Sequence, residues 1–117
     1  MQIKREIIEA ILELCRNAHP KEVGGLLIGK KIVDDYVIVP GKFYDFSIYI
    51  RMDQIPIYTD LFGTFHSHPT PNPRPSKADL EFFGKLGREH IIFAYPYDLN
   101  SFQAYDTLGN RAIVKIV

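Results

Sequence analysis

Apolar residues at Ile3, Ile7, Ile8, Ile11, Leu12, Leu14 and Cys15 recur at steps of three and four, which predicts an amphipathic helix from Ile3 to Asn17. His19-Pro20 ends it, because the residue before a proline is pushed out of the helical region. The pattern then changes. Glu22-Val23-Gly24-Gly25-Leu26-Leu27-Ile28-Gly29-Lys30 holds a short apolar run punctuated by Gly24, Gly25 and Gly29, the mark of a buried strand that another backbone or a ligand approaches closely. Ile32-Val33 and Tyr36 to Val39 flank Asp34-Asp35, which predicts a hairpin. Pro40-Gly41 is a break, and Phe43 to Ile50 alternates in part, with Tyr44, Phe46, Ile48 and Ile50 on one face.

Leu61 to His66 reads as a further strand. Pro69, Pro71, Pro73 and Pro75 then fall at every second position, so that segment should be extended and stiff. A second helix is expected from Ser76, with Leu80, Phe83 and Leu86 along one side and Gly87 as its C-terminal cap. His90 to Tyr95, Ser101 to Thr107 and Arg111 to Val117 read as three strands, the last two joined by a two-residue turn at Gly109-Asn110. Runs of strands between only two principal helices argue for an α/β or α+β domain with a mixed or antiparallel sheet, and against a doubly wound one. Residues 1–117 fit one domain, since a chain of this size buries roughly two-thirds of its unfolded surface.

Charge removes several functions. Fourteen basic side chains balance fourteen acidic ones, so there is no electrostatic footprint for nucleic acid. No apolar run reaches the length of a membrane span, and the charged N-terminus lacks a signal-peptide core. A cytoplasmic chain with no membrane partner is expected. Cys15 is the only cysteine, which rules out an intrachain disulfide and an all-cysteine zinc site.

The chemistry concentrates between His66 and Asp79. On a strand, His66 and His68 would present both imidazoles to one face. Asp79 would arrive from the start of the following helix, giving two histidines and a carboxylate for one metal ion. That is a ligand set of hydrolytic zinc, and also of the facial triad of non-haem Fe(II) oxygenases. Ser76-Lys77-Ala78-Asp79 equally fits a capping box, so Ser76 and Asp79 could simply start a helix; the two roles are compatible. Ser67 should face away from both histidines and takes no catalytic role. Arg74 and Lys77 read as solvated loop charges.

A zinc hydrolase also needs a general base, for which Glu22, Asp45, Asp53, Asp60 and Glu81 are candidates. Glu22 stands out because it heads the glycine-rich apolar strand, although an exposed strand-end carboxylate explains it too. Cys15 and His19, at i and i+4, could form a nucleophilic pair. The thiol, however, falls on the apolar stripe near the helix C-terminus, where the dipole disfavours a thiolate, so a core cysteine is expected.

Glu22-Val23-Gly24-Gly25-Leu26-Leu27-Ile28-Gly29, followed by His66-Ser67-His68-Pro69 and then Ser76 to Asp79, resembles the JAMM (MPN+) metalloisopeptidases, in particular their small stand-alone prokaryotic and archaeal members. The family motif is an upstream glutamate, then H-x-H-P, a short loop and S-x-x-D, and every position is filled. The resemblance implies a cytidine-deaminase-like α/β fold with a curved mixed sheet. It implies one Zn2+ held by His66, His68 and Asp79 with water as fourth ligand, Glu22 as proton carrier, and Ser76 as an oxyanion stabiliser. It further implies isopeptide (or peptide) cleavage after the C-terminal tail of a ubiquitin-like modifier. The inserted segments that grip ubiquitin in eukaryotic members do not fit in this length, so a smaller ubiquitin-like or sulfur-carrier protein is the expected partner. Its tail would add as a strand along residues 50–60. A non-catalytic MPN-type scaffold is the alternative, and a homodimer is compatible with either.

Overall fold

The computed structural model describes residues 1–39, 60–84 and 87–117. The strand anticipated over Phe43 to Ile50, most of the 50–60 edge, and the candidates Asp45, Asp53 and Leu86 lie outside these residues.

Helix α1 (Arg5–Ala18) follows a short strand β1 (Gln2–Ile3), so Ile3 belongs to a strand and not to the helix. Ile8, Ile11, Leu12 and Cys15 form the buried stripe of α1, one side of an amphipathic helix. β1 lies between β3 (Ile32–Val33) and β9 (Lys115–Ile116), parallel to both, in a small three-stranded sheet.

Among the described residues the main sheet has six strands, in the order β4 (Asp35–Ile38), β2 (Gly24–Ile28), β5 (Leu61–His68), β6 (Glu89–Ala94), β7 (Phe102–Asp106) and β8 (Arg111–Ala112). Only β5 and β6 run parallel; every other neighbouring pair is antiparallel. The mixed sheet and two principal helices match the α/β expectation. β3 and β4 are adjacent in sequence but do not form the expected hairpin: β3 pairs with β1 and β4 with β2. Likewise the expected strand from Arg111 to Val117 is two strands, β8 and β9, in different sheets. The turn before β8 is a loop from Thr107 to Gly109, closed by the Asp106 amide on the Asn110 carbonyl at 2.8 Å, with Gly109 at φ +84°. A three-residue loop with glycine at that position is the next most favoured hairpin connection after the two-residue turn.

The sheet separates two cores. On one face α1 packs against Leu27, Phe65, Ile91, Phe93 and Ala104. On the other, Leu26, Ile28, Ile92 and Tyr105 pack with Phe83 from the second helix, α2 (Lys77–Phe83). Gly25 keeps β2 beside β5, since a Cβ there would come within 2.7 Å of the Phe65 ring and would also strike the Val37 carbonyl. A bulge puts Leu27 opposite Gly63 and Ile28 opposite Leu61, so Phe62 between them turns into the α1 core. Leu80, expected on the packed side of α2, is 42% exposed.

Candidate metal centre

Alternation along β5 builds the site. Phe65 points into the α1 core and Ser67 meets the Cys15 thiol, while His66 and His68 project to the opposite face, towards α2. After the proline-rich loop, α2 opens with a capping box: the Asp79 amide donates to Ser76 Oγ at 3.0 Å and the Ser76 amide to Asp79 Oδ2 at 2.8 Å. The same Oδ2 lies 3.3 Å from His66 Nε2 and 3.4 Å from His68 Nε2. One carboxylate therefore starts the helix and faces both histidines.

The two Nε2 atoms are 3.1 Å apart. Zinc bonds of ~2.0–2.1 Å at tetrahedral angles require donor separations of roughly 3.3 Å. All three separations agree with that requirement, so the donors form one face of a tetrahedron, and among the described residues no other His, Cys, Asp or Glu joins them. The His66 and Asp79 side chains are 4% and 3% exposed and that of His68 17%, so access is from the His68 side. His68 Nδ1–H donates to the Asn72 carbonyl at 3.0 Å, which turns the Nε2 lone pair towards the centre. Tyr105 in turn holds the loop, its hydroxyl donating to the Pro73 carbonyl at 2.7 Å.

The electrostatics follow from these contacts. Burial alone would raise the Asp79 pKa, but hydrogen bonds from His66, His68 and the Ser76 amide hold the carboxyl well below the usual carboxylate range. Burial pushes the His68 pKa down; Asp79, the Asn72 carbonyl and the charge of Glu22 outweigh it, and the net shift is upward.

Glu22 is exposed, just before β2. Gly24 pairs with His66, and the Ser67 amide donates to the Val23 carbonyl at 2.9 Å. One further step of the same register sets Glu22 level with His68. The other described candidates are not brought to the site. Asp60 precedes the far end of β5, ~20 Å from His66 at about 3.3 Å per residue, and faces Lys30 at 4.0 Å. Glu81 follows Asp79 by two helical positions, roughly 200° around the axis. Cys15 is fully buried, its thiol pushed up to about 12 by that burial, and His19 Nδ1 instead pairs with the Tyr97 hydroxyl at 2.8 Å.

Sequence reasoning missed His90 and Thr64. They are cross-strand partners on β6 and β5, with Thr64 Oγ1 and His90 Nδ1 2.7 Å apart. The His90 ring stacks on Phe83 at 4.3 Å, and burial, with the nearby His66 charge, lowers its pKa to about 4. Their pairing depends on which strands adjoin, and no local pattern carries that information.

Fold and donor set together define an α/β protein with a hydrolase-type centre for one Zn2+. Residues 4–105 match the family described as prokaryotic homologs of the JAB domain, and the chain belongs to that family. A relative from Haloferax volcanii, described as a probable metalloprotease, is 36% identical over 92% of this chain and 73% of its own length. A crystal structure of a JAB1/MPN domain protein from Archaeoglobus fulgidus superposes with a TM-score of 0.81 at 37% identity, covering 100% of this chain and 99% of that one. A structure described as JAMM, a metalloprotease-like zinc site in the proteasome and signalosome, gives 0.79 at 37% identity over 100% and 97%. These likenesses and the His66–His68–Asp79 triad support a JAMM-type zinc metalloprotease.

Proposed function

We propose that residues 1–117 work as one catalytic domain that hydrolyses isopeptide bonds after the C-terminal tail of a small ubiquitin-like protein. The observation that carries the reading is the convergence of His66 Nε2, His68 Nε2 and Asp79 Oδ2 at 3.1–3.4 Å. Those three residues hold the zinc ion, which when bound polarises the scissile carbonyl and acidifies water. Glu22 takes a proton from the attacking water as its oxygen bonds to the carbonyl carbon. It then delivers that proton to the departing lysine amine as the C–N bond breaks. The Ser76 hydroxyl, which is exposed, donates to the developing oxyanion while its oxygen still caps α2. We place the enzyme in the cytoplasm, in keeping with its lone free thiol.

Two measurements test this reading. Elemental analysis should find about one zinc per chain in the wild type and close to none in Asp79→Ala. A peptide with a Gly-Gly tail in isopeptide linkage to lysine should be cleaved by the wild type and not by Glu22→Gln. Zinc binding without cleavage, or equal cleavage by both proteins, contradicts the assignment.

A further inference from the structure

A general base works only if its carboxylate is held in register with the reacting atoms, and a misplacement near 1 Å can cost about a hundredfold in rate. Regular secondary structure does not hold Glu22. It lies between the end of α1 and the start of β2, and its side chain is exposed.

Two side-chain contacts fasten that segment on either side of it. Downstream, Val23 stands opposite Ser67, and its carbonyl accepts the Ser67 amide at 2.9 Å. In an uninterrupted antiparallel ladder the Val23 amide would return to the Ser67 carbonyl. Here it donates to the Ser67 hydroxyl at 2.9 Å. Ser67 is 1% exposed on the α1 side of the sheet, where its neighbour Phe65 is pure core. Burying a hydroxyl there is costly unless it is partnered, and its partners are the Val23 amide and Cys15. Upstream, His19 Nδ1 meets the Tyr97 hydroxyl at 2.8 Å. Tyr97 is 1% exposed, has φ +63°, and its carbonyl accepts Arg16 Nη1 at 2.6 Å. A bulky residue in the left-handed region persists only where its surroundings over-determine it.

Both anchors belong to the framework of the metal centre. Ser67 sits between His66 and His68, and the Tyr95 amide, two residues before Tyr97, donates to the His68 carbonyl at 3.1 Å. From this geometry we propose that Ser67 is a positioning residue for Glu22, acting through the Val23 backbone, with the His19–Tyr97 pair closing the upstream end. The clamp ties the base to the strand that bears the histidines, so base and ligands move as one body. This inference rests on the reading of Glu22 as the base.

The test uses zinc-loaded protein and the Gly-Gly isopeptide substrate. Ser67→Ala and Tyr97→Phe should each lower kcat about tenfold to a hundredfold, with KM and zinc content unchanged. Hydrogen exchange at the Val23 amide should accelerate in Ser67→Ala alone. In a Glu22→Gln background neither substitution should cost anything further, because only the placement of the carboxylate is at stake. Wild-type kcat in both variants, beside an inactive Glu22→Gln, overturns the clamp and leaves the base reading intact. So does a loss that persists in full in the Glu22→Gln background, which would mean a general loss of structure. Wild-type kcat in Glu22→Gln removes the base reading, and the clamp with it. Should Ser67→Ala fail to fold, Tyr97→Phe, which deletes a single oxygen, decides the matter by the same criteria.

Discussion

The two faces of the central sheet bury different things. Towards α1 the buried set, among the described residues, is apolar apart from Ser67, with Ile8, Ile11, Leu12, Leu27, Phe65, Ile91 and Phe93 packed together. Towards α2, Thr64, His66, Asp79 and His90 are buried among Leu26, Ile28, Phe83 and Ile92. One strand supplies both: Phe65 and Ser67 look one way, His66 and His68 the other. A buried polar group without a partner costs about 1–3 kcal/mol. The α2 face tolerates several because they hold one another, Thr64 with His90 and Asp79 with both histidines and Ser76. The α1 face makes the fold; the α2 face makes the chemistry. Cys15 and His19 illustrate the contrast. They had the residue types of a catalytic pair and the spacing to meet, yet the thiol is core and the imidazole goes to Tyr97.

Substitutions on the two faces should therefore fail in different ways. The largest effect on stability is expected from Phe65→Ala. The ring packs edge-on to Tyr36 and Phe93, each at 6.2 Å, and fills the space Gly25 leaves. Its loss should cost about 3–5 kcal/mol in urea unfolding, while the folded fraction keeps its zinc stoichiometry. Zinc lost in proportion to stability would mean that the faces are not separable. In the native protein Cys15 should resist alkylation at pH 8, since its pKa stands at about 12.

The α2 face should respond to pH through His90. The unfolded chain protonates this ring near the ordinary 6.5 and the folded chain only at about 4. The unfolded state thus binds the extra proton first. The contribution of His90 to stability is complete above pH 6.5, falls as pH drops through the window, and levels off below 4. The shift corresponds to about 3 kcal/mol at most. In metal-free protein, wild type should lose that much more than His90→Gln between pH 6.5 and 4. Parallel pH profiles for the two proteins would show that burial on this face does not govern the titration.

Local patterns made much of this legible. Helical spacing disclosed α1, the period of two put His66 and His68 on one face, and S-x-x-D disclosed both the helix start and Asp79. What stayed hidden was pairing between distant segments. β1 had too few residues to show a period, and Ile3 suits a helix as well as a strand. The two-residue pieces β3 and β9 are strands only because β1 lies between them. Leu80 lies in register with Phe83 yet stays exposed beside the Gly109 turn, a neighbour that no helical pattern announces. The partnership of Thr64 with His90, and of Val23 with Ser67, likewise exists only once β5 has its neighbours.

The smallest effect on stability tests Ser76, which caps α2 and for which we propose a part in the chemistry as well. Ser76 Oγ accepts the Asp79 amide at 3.0 Å, a capping bond whose loss in Ser76→Ala should cost about 1 kcal/mol. Glycine is a far better N-cap than alanine, so Ser76→Gly should lose only a few tenths. Neither variant has a hydroxyl. If Ser76 also donates to the oxyanion, kcat should drop about a hundredfold or more in both, as when one such donor is removed, with zinc retained. Stability would then separate the two variants and activity would not. If kcat instead follows the cap, low in Ser76→Ala and near wild type in Ser76→Gly, the serine acts only by orienting Asp79 at the head of α2.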